Sequence, residues 1–175
     1  MECRGRSFAF DRAWAAFGYE GSARSVVHAL KMRCATAAAR EMARAIAAQA
    51  PTSFFTGTLV PVPAHGWRRW RDGFNQAHEL ATALAEQRDL ELSDILVRAR
   101  SRRQVGLERS ARIANAVGSV QVRAGSRLPP AAVVIDDVYT TGATVDACAK
   151  ALRDAGSEHV IALTFARAVR PRPVP

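Results

Sequence analysis

Two adjacent carboxylates, followed by a run of hydroxyls and a glycine, are the residues of this chain best suited to chemistry: Asp136-Asp137-Val138-Tyr139-Thr140-Thr141-Gly142-Ala143-Thr144. Beyond them Val145, Cys148, Ala149 and Leu152 fall at the i, i+3, i+4, i+7 spacing of one helix face. The loop Tyr139 to Thr144 therefore leads into a helix N-terminus, where unpaired N–H groups and the positive end of the dipole favour an anion. Threonine hydroxyls add donors, and Gly142 lets the backbone approach a ligand closely, so the composition is that of a phosphate cradle. Side by side, Asp136 and Asp137 repel each other unless ribose hydroxyls or Mg²⁺ engage them. No Gly-Lys-Ser/Thr follows the glycine, so this is not a P-loop. The plain alternative, a turn with solvated aspartates and capping threonines, fits less well with the apolar run that precedes the two acids.

That run, Ala131 to Ile135, has the β-branched make-up of a strand buried on both faces, which places the two acids at its carboxyl end, the edge where open α/β sheets bind ligands. The helix spans Thr144 to Ala155, and Gly156 supplies its left-handed stop. A second strand–loop–helix unit lies earlier. Thr58 to Pro63 reads as a buried strand, and Asn75 to about Gln87 as a helix with Ala77, Leu80, Ala81 and Leu84 on one face. The loop between them carries His65, Trp67, Arg68, Arg69, Trp70 and Arg71, a positive segment suited to pyrophosphate; interleaved arginine and tryptophan also suit single-stranded nucleic acid. A solvated basic loop is the unadorned reading of the same residues. Other expected strands are Ala13 to Tyr19, Val117 to Val122 and His159 to Phe165, with a short strand or turn over Glu91 to Val97. Helices are expected from Ser22 to Arg33 and from Ala37 to Gln49, the latter stopped by Pro51. Met1 to Asp11 shows little pattern, and Arg98 to Asn115 is rich in arginine.

With 175 residues, nearly half of them apolar, the chain can form one domain that buries roughly 70% of its unfolded surface. Cys3, Cys34 and Cys148 form no CxxC pair or even framework, so a reducing, cytoplasmic setting is expected. No apolar run reaches the length of a membrane span, and no signal-peptide core follows the N-terminus. The net charge of +9 attracts polyanions, whether pyrophosphate esters or nucleic acid, without choosing between them. His28, His65, His78 and His159 have no ligand spacing.

Val133 to Thr144 resembles, at every position, the phosphoribosyl pyrophosphate (PRPP) motif of type I phosphoribosyltransferases. The resemblance implies that Asp136 and Asp137 contact the ribose hydroxyls, with Mg²⁺ accompanying PRPP and no direct protein ligand to the metal beyond those two acids. It assigns Val138, Tyr139, Thr140, Thr141, Gly142, Ala143 and Thr144 to the ribose 5′-phosphate segment. Val60-Pro61-Val62-Pro63 with Gly73-Phe74-Asn75-Gln76, and Arg100, Gln104, Leu107, Arg112 and Asn115 at their spacing, are similar to the competence protein F (ComF) branch of that superfamily, from about Phe10 to Arg167. Asp72 stands where that branch carries arginine, so Arg71 is the residue available to serve instead.

The fold implied is α/β, a mainly parallel central sheet flanked by helices with a small flexible hood. His65, Arg68, Arg69 and Arg71 would face pyrophosphate, and Arg100, Gln104, Arg112 and Asn115 would belong to the hood. The expected organisation is an N-terminal segment over 1–12, the phosphoribosyltransferase-like domain over 13–167 and a Pro/Arg-rich tail over 168–175. The branch usually opens with a four-cysteine zinc ribbon, of which Cys3 alone could be a remnant; one cysteine makes no zinc site. The resemblance implies first a protein that binds PRPP with Mg²⁺ and transfers the phosphoribosyl group to an unknown acceptor with release of pyrophosphate; the alternative is a non-catalytic accessory role in DNA uptake, and a third reading is PRPP sensing. The expected partners are PRPP or another phosphoribosyl ligand, single-stranded DNA, an ATPase of the competence machinery and a second copy of the chain.

Overall fold

The computed structural model describes residues 7–33, 36–64, 74–98 and 120–168. Among the described residues six strands and four α-helices run in the order β1 (Arg12–Gly18), α1 (Gly21–Arg33), α2 (Thr36–Gln49), β2 (Thr58–Pro61), α3 (Gln76–Arg88), β3 (Leu96–Arg98), β4 (Val120–Val122), β5 (Ala131–Tyr139), α4 (Ala143–Ala155) and β6 (His159–Arg167), with a 3₁₀ turn over Thr52–Phe54. The main sheet has the strand order β1-β6-β5-β2 with every pairing parallel, so all four carboxyl ends lie along one edge. Strands β3 and β4 form a separate antiparallel pair, Leu96 opposite Val122. The fold is thus the expected α/β arrangement, a mainly parallel sheet flanked by helices, consistent with the phosphoribosyltransferase type.

The sheet is buried on both faces, as its continuous Val/Ile/Leu runs dictate. On one face Leu59, Val133, Ile135, Ile161, Leu163 and Phe165 pack beneath α1, α2 and most of α3. The small residues of α2, Ala39 and Ala43 beside Met42 and Ile46, are buried there. On the other face Val60, Ala132, Val134, Val160 and Ala162 meet the Val145, Cys148, Ala149, Leu152 stripe of α4, all buried as the spacing requires. Gly156 ends α4 at φ 114°, and its N–H bonds to Leu152 and Arg153 carbonyls tie off the last turn.

Two strands outrun their sequence-based limits. Strand β5 continues through Asp136 and Asp137 to Tyr139, and β6 to Arg167, because each supplies the other's ladder: Asp136 lies opposite Thr164, Val138 opposite Ala166 and Tyr139 opposite Arg167. Strand β2 stops early, at Pro61 opposite Ile135, with Val62 adding one last N–H bond to the Ile135 carbonyl at 3.0 Å. Pro63 has no N–H to carry the ladder further.

The first described strand pairs with the last, Arg12 opposite Ile161 through Gly18 opposite Arg167. Asp11 clamps that junction. Its carboxylate accepts from the Val160 N–H at 3.0 Å and bonds the Arg153 guanidinium. The side chain of Asp11 is 43% exposed, which screens the ion pair and leaves the backbone bond as the main contribution. Asp11→Ala is expected to lower the unfolding free energy by about 1 kcal/mol, measured as a lower urea midpoint at unchanged slope. An unmoved midpoint would show that the clamp contributes nothing.

Candidate functional site

The site arises from the way the helices leave the sheet. Strand β2 leads to α3 on one face and the adjacent β5 leads to α4 on the other. With the two helices packed on opposite faces, a crevice lies at the carboxyl edge between neighbouring parallel strands, the topological switch point where α/β sheets take ligands. A cavity of about 140 Å³ occupies it. Its walls are Val62 to Ala64 after β2, Asn75 and Gln76 at the head of α3, Asp136 and Asp137 of β5, Thr144 of α4, and Arg98 from β3.

Each wall is held by a specific contact. The Asn75 side chain caps α3 by accepting from the Ala77 N–H at 3.2 Å, and its amide donates to the Val62 carbonyl at 3.1 Å. One residue thus starts the helix and pins the strand exit. Arg98 Nε donates to the Pro63 carbonyl at 3.0 Å, fixing the next residue of the same exit. The Asp136 carboxylate accepts from the Asp137 N–H at 2.9 Å, beyond the point where β2 ends. Asp137 is buried, 6% exposed, so the two acids differ: one half-buried at the rim, one sunk below it.

The electrostatics centre on Asp136. Burial lowers the pKa of the Arg98 guanidinium from its ordinary value and the Asp136 carboxylate acts in the opposite direction; an arginine so placed remains cationic at neutral pH. Below the crevice the Cys148 thiol is fully buried. Burial pushes its pKa up, the Asp136 charge raises it further, and Arg98 acts the other way. The thiol is therefore a neutral member of the apolar core rather than a nucleophile. In native protein at pH 8, Cys148 is expected to resist alkylation by iodoacetamide and to react only after denaturation, as read by peptide mass mapping. Labelling at the rate of an exposed thiol would contradict this.

Between β5 and α4 the loop is shorter than Tyr139 to Thr144, only Thr140, Thr141 and Gly142. Gly142 is the residue before the helix, at φ 78°, and is buried. A Cβ there would collide with the Tyr139 hydroxyl and lie 2.7 Å from its Cζ. The cap has no side-chain hydrogen bond; the Thr141 hydroxyl lies 3.4 Å from the Ala143 N–H, a long contact. Thr140 and Thr141 are exposed, and the Gly142 cap offers no side chain to the first turn of α4, the kind of helix start an anion site uses.

Asp136, Asp137 and Thr144 thus meet in the crevice. Thr140, Thr141, Gly142 and Ala143 form the adjoining loop and helix start. Val138 packs against the core beneath α1 to α3. Tyr139 is buried on the α4 face and braces Gly142 from behind. His65, Arg68, Arg69 and Arg71, and Arg100, Gln104, Arg112 and Asn115, lie outside the described residues. Arg98 was not singled out as a site residue by its sequence context, being one arginine at the start of a basic stretch; its pairing in β3, opposite Val120, is what brings it to the crevice. Asn75 was legible as a helix start, but not as the strap on Val62.

Adjacent carboxylates are hard oxygen donors of the kind Mg²⁺ accepts alongside substrate phosphates, so Asp136 and Asp137 fit a phosphate-borne Mg²⁺. Among the described residues no group of three or more His, Cys, Asp or Glu could hold a metal alone. Among them, too, no helix is long and apolar enough to cross a membrane.

The chain is 32% identical over 114 residues to competence protein F of Haemophilus influenzae, a stretch covering 63% of this chain and 50% of that protein. It is 31% identical over 109 residues to competence protein ComFC of Streptococcus pneumoniae, covering 62% of this chain and 47% of that one. The chain spans about half the length of these curated relatives. No family model matches it.

Proposed function

We propose, from the chain's similarity to competence protein F and competence protein ComFC, that it is an accessory protein of DNA uptake that binds a Mg²⁺-bound phosphoribosyl diphosphate. The observation that carries the ligand is the crevice between β2 and β5. Two carboxylates line it, one half-buried and one buried, Arg98 lines its wall, and an uncapped helix start follows a buried glycine. Carboxylates accept from paired ribose hydroxyls, and helix N–H groups with threonine hydroxyls suit a terminal phosphate. The Mg²⁺ would be held through Asp136 or Asp137 and the ligand's own diphosphate, supplying charge neutralisation there. For the DNA role the support is the relatives' names and the net charge of +9.

A second reading, phosphoribosyl transfer, has the same crevice behind it. An acceptor would bond to ribose C1 as the C1–O bond to pyrophosphate breaks, the pair of electrons leaving with pyrophosphate. Arg98 in the wall is the feature that favours it, since a fixed cation stabilises charge growing on a leaving group without reorganising. Among the described lining residues Asp136 and Asp137 are the groups that could take a proton from the acceptor.

Calorimetric titration with PRPP, with and without Mg²⁺, tests the binding. Saturable binding that strengthens with Mg²⁺ is expected. Pyrophosphate release on adding nucleobases or small amines would promote the second reading; binding without release would retain the first. Absence of heat under both conditions would remove the phosphoribosyl ligand.

A further inference from the structure

A second and larger cavity, about 380 Å³, opens on the α4 face of the sheet and shares no lining residue with the crevice. Its size and its mainly apolar lining with a few polar groups are those of small-molecule sites. Phe8, Phe10 and Tyr139 supply rings, Ala13 and Thr164 floor it, and Arg167 stands at its side.

The segment carrying the first two rings is fastened to α4. The Ala9 N–H donates to the Asp146 carboxylate at 2.7 Å, and Arg153 Nε donates to the Ala9 carbonyl at 3.3 Å. The Phe8 and Phe10 rings stack, 4.9 Å between centroids at 20°. Phe10 in turn meets Tyr139 edge-to-face at 6.5 Å and 84°. The Arg167 guanidinium lies 5.8 Å from the Tyr139 ring centroid, and no carboxylate among the described residues pairs with it. The acid that borders the cavity, Asp11, is already engaged by Arg153 and the Val160 N–H. Stacked half-buried rings, a perpendicular ring and a cation without a carboxylate partner favour a flat ligand whose edge carries hydrogen-bond acceptors.

We infer that this cavity binds a nucleobase, its plane against Phe8 and Phe10 and its acceptor edge toward Arg167. Aromatic faces and an arginine fork are the means by which proteins hold unpaired bases. Arg12, the other cation of the lining, is engaged by the Ser53 carbonyl and the Phe54 ring, and a purely apolar ligand would leave Arg167 without a role. The inference does not rest on the phosphoribosyl reading, since none of the groups used here touches the crevice cavity.

The test uses the full chain with adenosine and thymidine, which carry no phosphate, and with a twelve-nucleotide oligothymidylate. Binding is followed by equilibrium dialysis. Phe8→Ala and Arg167→Gln are each expected to weaken binding roughly tenfold, whereas Phe8→Trp, which keeps a stacking face, retains it. Asp136→Asn with Asp137→Asn leaves it unchanged, and this separates the present site from the phosphoribosyl one. Nucleosides and oligonucleotide binding alike would mean that the cavity takes free bases; binding by the oligonucleotide alone, still lost in the two variants, would mean that it takes a base presented by a strand. Either result supports the site. Absence of binding by all of them, or equal affinity in wild type, Phe8→Ala and Arg167→Gln, overturns it.

Discussion

Asp136→Asn combined with Asp137→Asn is expected to weaken PRPP binding by about 10²- to 10⁴-fold while the sheet stays folded. The exchange removes two negative charges at constant volume. The asparagine oxygen at position 136 can still accept from the backbone N–H of residue 137, now 2.9 Å from the carboxylate, so the end of β5 keeps its local bond. What disappears is the ability to accept strong, charge-assisted bonds from ribose hydroxyls. Each such bond contributes about 1.5–3 kcal/mol, and two together give the range stated. Calorimetry with PRPP and Mg²⁺ measures the loss, and the far-ultraviolet circular dichroism spectrum reports the fold. An affinity within a factor of about three of wild type would show that these acids do not hold the sugar.

Gly142→Ala is expected to cost almost as much, by a different route. At φ 78° an L side chain is strained, and the added carbon would run into the Tyr139 hydroxyl and ring. Left-handed strain of about 1 kcal/mol or more and overpacking of about 1–3 kcal/mol fall on three loop residues rather than on the core. The loop can escape only by giving up the conformation that leads into α4. Ligand affinity should therefore drop at least about thirtyfold, with a smaller fall in melting temperature. Adding Tyr139→Ala to Gly142→Ala should return the steric part and leave the backbone part, a non-additivity that a double-mutant cycle reads directly. Full affinity in Gly142→Ala alone would mean that the loop is not the phosphate cradle.

Much of this arrangement was legible in the sequence because local patterns decide it. The stripe from Val145 to Leu152 and the stop at Gly156 specify α4, and the apolar run from Val133 to Ile135 specifies the middle of the sheet. What was not legible depended on partners distant in the chain. Two aspartates look like the end of a strand, yet β5 runs on to Tyr139 because β6 continues beside it to Arg167. Arg98 belongs to the crevice only because Val120 pairs with it. Met1 to Asp11 shows no periodicity, and the use of Phe8 and Phe10 becomes visible only once Asp146 and Arg153 fix the segment between them. The basic loop over 65–73 and the arginine-rich stretch over 99–119 lie outside the described residues.

The pairing of β1 with β6 bears on how the chain is made. Arg12 finds its neighbour at Ile161, so closing that loop is among the most entropically demanding steps of folding. During synthesis β1 leaves the ribosome before the other described strands and its hydrogen-bonding partner after them. Until β6 is complete, the edge of β1 and the Trp14 and Phe17 side chains that will pack against the finished fold have no sheet to join. The nascent chain must keep an apolar strand from pairing elsewhere until the residues up to Arg167 have been made, and a ribosome stalled before His159 would hold a protein whose β5 has formed with only one of its two neighbours.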